Sequence, residues 1–258
     1  MSKLTSLEKA LCVLDAVAKA RSAGLRELAA EVGFPPSTVH RLLTILTTSH
    51  YLTQDPVTRK YRLALKFLEL GTAVQEDLDV ISVARPRMTE LMEATSETVN
   101  LALFDGAGTV YVDQVANSNS FLRMFTRVGT RVPLHCTGVG KACLAGLPNE
   151  FLLEYWRTTE KKRYTEKTIT DEPRLKTDLQ VIRRLGYAVD DEEMEIGVRC
   201  VASAIRQDRG NVIAAVSISG PSSRLTASRV SLVGQLVRRT AGQISADLGY
   251  AEKELAGI

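Results

Sequence analysis

The sequence predicts an α+β protein of two modules, a small helical one carrying a β-hairpin and a larger one that mixes strands with helices. Three observations carry that expectation. Positive charge gathers at one end: residues 1–75 hold 10 Lys and Arg against 6 Asp and Glu, whereas residues 76–258 hold 23 against 24. Apolar residues recur with a helical period through most of the first third, and the texture turns β-rich from residue 98. Strands and helices then fall in blocks rather than in strict alternation, which favours α+β over a doubly wound sheet.

Composition excludes several classes. With 45% apolar and 24% charged residues in 258, the chain is neither disordered nor collagen-like. No stretch approaches the roughly 18 uncharged apolar residues of a membrane span, so no membrane partner is expected. The opening run MSKLTSLEKALCVLD is broken by Glu8, Lys9 and Asp15, unlike a signal-peptide core. Four cysteines without a C-x-x-C pair make no disulfide framework, and a reducing cytoplasm is the expected setting.

In the first module, residues 6–21 read as a helix with Leu7, Leu11, Leu14 and Ala18 on its inner face. Ser22-Ala-Gly24 stops it. A second helix has Leu25, Leu28, Ala29 and Val32 inward and Arg26, Glu27 and Glu31 outward, and Gly33 suits its left-handed cap. Phe34-Pro-Pro-Ser37 turns into a third helix, where proline is tolerated in the first turn. Val39, Leu42, Leu43 and Leu46 form its apolar face; Ser37, Thr38, His40, Arg41 and Thr44 lie on the other.

Two short helices joined by a tight turn have the form of a helix-turn-helix, whose second helix offers its N-terminal residues to base edges in the major groove. Ser, Thr, His and Arg are suitable donors there, and Arg is the usual reader of guanine. A hairpin follows, Tyr51–Gln54 and Lys60–Leu63, with Arg59 and Lys60 near its tip. It completes a winged helix whose wing would lie along phosphates. Double-stranded DNA is therefore the expected acidic partner, with Arg26, Ser37, Thr38, His40, Arg41, Arg59 and Lys60 as contacts.

Residues 63–76 look helical apart from Gly71, and a helix resumes over Val80–Thr95 despite Pro86. Leu63, Phe67, Leu70 and Val74 exceed what one small module can bury, so they pack on the second module, form a dimer seam, or do both. The expected domains are 1–66, a linker 67–80, and 81–258.

In the second module, strands are expected at Thr98–Phe104, Thr109–Val115, Phe121–Val128, Tyr187–Asp191, Val198–Ile205 and Val212–Ser219. Helices are expected at Pro148–Trp156, Arg174–Leu185 and Thr226–Leu248, the last with Thr226 as N-cap. Three segments carry chemistry. Leu134–Ala145, LHCTGVGKACLA, runs from a strand into a helix whose start bears Gly138 and Gly140, so its free amides favour an anion. Asp190–Ala202, DDEEMEIGVRCVA, carries acids and a thiol. In Ala214–Pro221, Ser217 and Ser219 alternate onto one face of a strand and need partners. Helix-start amides, two hydroxyls, an acid and a thiol would make a pocket for a small polar anion.

Other chemistries fit less well. Cys136, Cys143 and Cys200 are candidate nucleophiles, but His135 and Cys136, adjacent on a strand, would point to opposite faces. G-x-S-x-G and a phosphate loop are absent. His135, Cys136, Asp190 and Cys200 are metal-ligand types without zinc-site spacing. Neither an enzyme, a cofactor nor a metal is expected.

The runs LHCTGVGKACLA, DDEEMEIGVRCVA and SISGPSSRL, in this order behind a winged helix and a helical linker, resemble the IclR family of bacterial transcriptional regulators over nearly the whole chain. The resemblance implies a C-terminal effector-binding domain with a GAF-like fold, dimers or dimers of dimers on palindromic operators, and control of a catabolic operon by a small organic acid. Repression is the expected sign, with activation as the alternative. By motif, effector contacts would fall on Gly138, Val139, Asp190, Cys200, Ser217 and Ser219. The full polar set suits a compact carboxylate. Val139, where alanine is frequent, implies a narrower pocket, and Leu122, Met124 and Leu144 are expected to line it.

Overall fold

A computed structural model describes residues 4–76, 79–116, 126–207 and 210–250. The chain divides into two units, Met1–Leu78 and Asp79–Ile258. In the first, α1 (Ser6–Ala20) begins at a capping box in which the Glu8 amide donates to Thr5 Oγ1 and the Thr5 amide to Glu8 Oε2. The helix α2 (Leu25–Val32) ends on Gly33 at φ 68°, and α3 (Pro36–Thr48) opens with proline at its first position. Val39, Leu42, Leu43 and Leu46 of α3 are buried as their spacing requires, together with Val13, Val17, Leu28 and Tyr61. The strands β1 (Leu52–Gln54) and β2 (Tyr61–Leu63) pair antiparallel as the expected wing, and Ala23 forms an isolated antiparallel bridge to Tyr61.

The inner face of α1 differs from the reading by sequence. Val13, Ala16 and Val17 are buried, whereas Leu7 and Leu11 are 71% and 53% exposed. The stripe chosen by leucines is rotated from the one that meets α2 and α3, because alanine and valine fit the close approach of three short helices. The helix α4 (Lys66–Glu76) continues through Gly71, and its Leu68, Leu70 and Val74 are exposed, as is Leu65 just before it.

In the second unit, α5 (Asp79–Thr95) continues past Pro86. Then come β3 (Thr98–Phe104), β4 (Thr109–Val115), β5 (Arg131–Val132), α6 (Gly138–Ala145), α7 (Asn149–Thr158), α8 (Glu172–Leu185), β6 (Ala188–Asp191), β7 (Val198–Arg206), β8 (Val212–Pro221) and α9 (Ala227–Asp247). The strands form one antiparallel sheet ordered β5-β4-β3-β8-β7-β6. Residues of both parities along β8 are buried, so both faces of the sheet are covered at its centre. The helices α5 and α9 pack on each other and on β3, β4, β7 and β8; α6 packs on β6, β7, β8 and α8.

Most of the expected strand Phe121–Val128 lies outside the described residues; of its end, Thr126 and Arg127 are irregular and Val128 begins a turn. The short strand β5 was not expected. Thr226 sits at the N-cap of α9, but its hydroxyl pairs with Ser228 rather than with a helix amide.

Candidate functional site

The second unit gathers the three chemical segments at one place. Across the sheet, Asn100 faces Ser217, Thr98 and Cys200 face Ser219, Ala202 faces Ser217, and Asp190 faces Cys200. Residues directly opposite share a face, so these polar groups form one patch. Above it lies the start of α6. A side chain on Gly138 would stand 3.3 Å from Ala202 Cβ and 3.4 Å from Cys200 Cβ, so the glycine lets the helix N-terminus settle onto β7. Thr137 caps α6, its Oγ1 accepting from the Gly140 amide at 3.1 Å. The amides of Gly138 and Val139 precede it, at the positive end of the helix dipole. The Val139 side chain belongs to the apolar core, as does Leu144, so what Val139 offers is its N–H.

The hydroxyls differ in their partners. Ser219 Oγ donates to Cys200 Sγ at 3.1 Å and accepts from Asn100 Nδ2 at 3.1 Å. Gln114 Nε2 holds Asn100 by its Oδ1 at 2.8 Å. Ser217, fully buried, has no hydrogen-bond partner for its Oγ among the described residues. An unpaired buried hydroxyl is costly and wants an explanation. Asn100 and Gln114 were missed by sequence, although each is the one side-chain amide on its strand.

Asp190 closes the patch at its β6 edge. Its Oδ1 accepts from the Glu193 amide at 2.8 Å and the Met194 amide at 3.3 Å, so it also shapes the loop that follows. Burial, reinforced by the charge of Glu193, pushes its carboxyl up to about 7 against the pull of those two amides and of Lys141. The same loop is fixed by an ion pair that sequence reading missed. Lys141, 1% exposed, reaches Glu193 Oε1 at 2.5 Å and Asp178 Oδ2 at 2.8 Å. Burial opposes its charge, yet the two carboxylates hold its pKa above the usual lysine value. The signal was a single lysine inside GVGKACLA, a helix otherwise small or apolar.

The rival chemistries find no geometry. His135 and Cys136 lie not on a strand but on the bend between β5 and α6. His135 Nε2 meets the Lys162 carbonyl at 3.2 Å, which can only accept, so Nδ1 accepts from the Tyr155 hydroxyl at 3.1 Å. Burial pushes the thiols of Cys136, Cys143 and Cys200 up, away from the thiolate a nucleophile needs. Among the described residues there is no cluster of metal-ligating side chains, and no helix is long and apolar enough to cross a membrane.

In the first unit, Ser37, His40 and Arg41 are exposed on the first turns of α3, with Thr38 half-buried beside them. Arg26 is exposed on α2. The wing turn is tied by Asp55 Oδ1, which accepts from the amides of Val57 and Thr58, and Arg59 sits at φ 57° with its side chain exposed; Lys60 is half-buried. Among the described residues, ion pairs in this unit involve Lys19 with Glu31 and Lys66 with Glu69, so Arg26, Arg41, Arg59 and Lys60 carry unneutralised charge.

Comparison with known proteins agrees with both halves. The IclR helix-turn-helix domain model matches residues 6–56, and the C-terminal domain model of the bacterial transcriptional regulator IclR matches residues 72–246. The HTH-type transcriptional repressor AllR of Escherichia coli strain K12 is 40% identical over 245 residues, covering 95% of this chain and 90% of that protein. The crystal structure of Thermotoga maritima IclR superposes with a TM-score of 0.73 at 33% identity, over 95% of this chain and 99% of that one. A putative transcriptional regulator from Rhodococcus sp. RHA1 gives 0.77 at 31% identity, over 95% and 98%. The chain therefore belongs to the IclR family of bacterial transcriptional regulators, and it is a helix-turn-helix transcriptional regulator rather than an enzyme.

Proposed function

We propose that the protein represses a catabolic operon in the cytoplasm and is released or retained by a compact carboxylate effector. The observation that carries the effector reading is Ser217 Oγ, buried and unpartnered beneath the N-terminus of α6. A carboxylate seated there would accept from the amides of Gly138 and Val139 and from Ser217, with Ser219, Cys200 and Asp190 around it. The shortness of the polar patch, closed by Asn100 and Asp190, suits a small acid.

On DNA, α3 enters the major groove with Ser37, Thr38, His40 and Arg41 at base edges. Arg26, Arg59 and Lys60 contact phosphates. Two copies bind a palindromic operator, its half-sites about 34 Å apart, as a dimer or a dimer of dimers. The exposed apolar residues of α4 support self-association. Effector affinity that differs between two arrangements of the repressor shifts its occupancy of the operator. The test is titration of Ser217→Ala with DNA and a panel of small acids. Loss of the acid response with unchanged operator affinity supports the reading; an unchanged response refutes it.

A further inference from the structure

We infer a second anion site in the C-terminal unit, at the opposite end of α6 from Gly138 and Val139. A cavity of 430 Å³ lies there, lined by the C-terminal end of α6, by α8, β7 and α9. Its volume falls in the range of small-molecule sites. Arg183, Arg184, Arg206 and Arg238 all line it, and among the described residues no Asp or Glu does. Among the described residues, none of the four is in an ion pair with a carboxylate.

Two of these arginines have evident structural duties. Arg183 Nε donates to the Ala145 carbonyl at 2.8 Å, at the negative end of the α6 dipole, and Arg206 Nη1 donates to the Gly210 carbonyl at 2.7 Å. Arg183 Nη2 also reaches Asn149 Oδ1 at 3.4 Å, while Arg206 keeps its other guanidinium nitrogens for a ligand. Among the described residues, Arg184 and Arg238 carry no such duty. Glycines set the arrangement: a side chain on Gly146 would come within 2.8 Å of Arg206 Nη2, and one on Gly186 within 2.7 Å of Arg238 Cδ. Both arginines thus lie flat against bare backbone at the cavity wall. Four like charges lining one concavity raise its positive potential and attract an anion to it. Guanidinium forks favour planar, bidentate oxyanions. The ligand is therefore a multiply charged oxyanion, a phosphate ester or a polycarboxylate, distinct from the single carboxylate suited to the patch at Ser217.

The test is calorimetric titration of the full-length protein, in chloride buffer at fixed ionic strength, with pyrophosphate, citrate and acetate. Saturable binding of pyrophosphate, citrate or both, with none of acetate at this site, is expected; whichever binds identifies the oxyanion class. Saturation should also raise the melting temperature by about 5 °C. The pair Arg184→Gln with Arg238→Gln, both exposed and outside the core, should weaken binding at least about tenfold. Ser217→Ala should leave it unchanged, which separates this site from the effector patch. Absence of saturable binding by either polyanion, or equal binding by the arginine pair variant, overturns the inference.

Discussion

At the residue scale, the proposed effector response rests on Ser217 and Asp190. Ser217→Ala removes a buried hydroxyl that has no partner, so stability should hold or rise by about 1 kcal/mol in urea unfolding. A loss of that size would mean the hydroxyl is paired within the protein and free for no ligand. Asp190 adds a pH dependence. Its folded-state pKa is raised to about 7, so between its unfolded value and 7 the folded protein holds a proton the unfolded chain has lost. Its contribution to stability therefore falls as pH rises through that window and is level above it. An effector carboxylate is repelled once Asp190 ionises. Affinity should weaken above pH 7 by up to about tenfold per unit, and Asp190→Asn, which keeps the acceptor for the Glu193 amide, should flatten the profile. A profile unchanged by Asp190→Asn would place the titration elsewhere. On the DNA side, Arg41→Ala should cost about 1–3 kcal/mol with relaxed specificity, whereas Arg59→Ala should weaken all sequences alike and lower the salt slope by about 1. Serines alternating on a strand, an acid and helix-start glycines were legible in the sequence because each is a local signature. Asn100 and Gln114 were not, since their roles depend on the register of β3 against β8 and β4.

Single elements show where local patterning suffices and where packing overrules it. The helices α2, α3, α8 and α9 were legible because proline, glycine or a capping side chain marks their ends. The inner face of α1 was misread because leucine count outweighed fit: Leu7 and Leu11 face solvent while Ala16 and Val17 meet α2 and α3. The two-residue β5 is too short to show any period. The helix α6 joins to the loop after β6 through Lys141, whose ion pairs with Glu193 and Asp178 span 52 and 37 residues of sequence, beyond any local signal. Lys141→Met leaves Glu193 buried without its counter-charge and should cost about 3–5 kcal/mol in urea unfolding. The loop after β6, whose amides bind Asp190, should loosen with it, so effector binding should fall as well. A cost under about 1 kcal/mol would show the pair to be solvated.

For the whole molecule, the charge asymmetry of the sequence and the two units of the structure tell one account: a cationic reader and a neutral sensor. The apolar excess on α4 remains exposed within one chain, with Leu70 and Val74 at 43% and 60%. Leu70→Glu with Val74→Glu should weaken self-association in sedimentation and bring binding of a palindromic operator down to that of a half-site; an unchanged dimer would assign that face another role. The most direct test of the account is the binding of the full-length protein to DNA upstream of its own gene, at two salt concentrations, with and without a panel of small organic acids. The account predicts sequence-selective, salt-dependent binding that one compact carboxylate alters and that Ser217→Ala makes unresponsive. Selective binding that no carboxylate changes, or a response that survives Ser217→Ala, would contradict it.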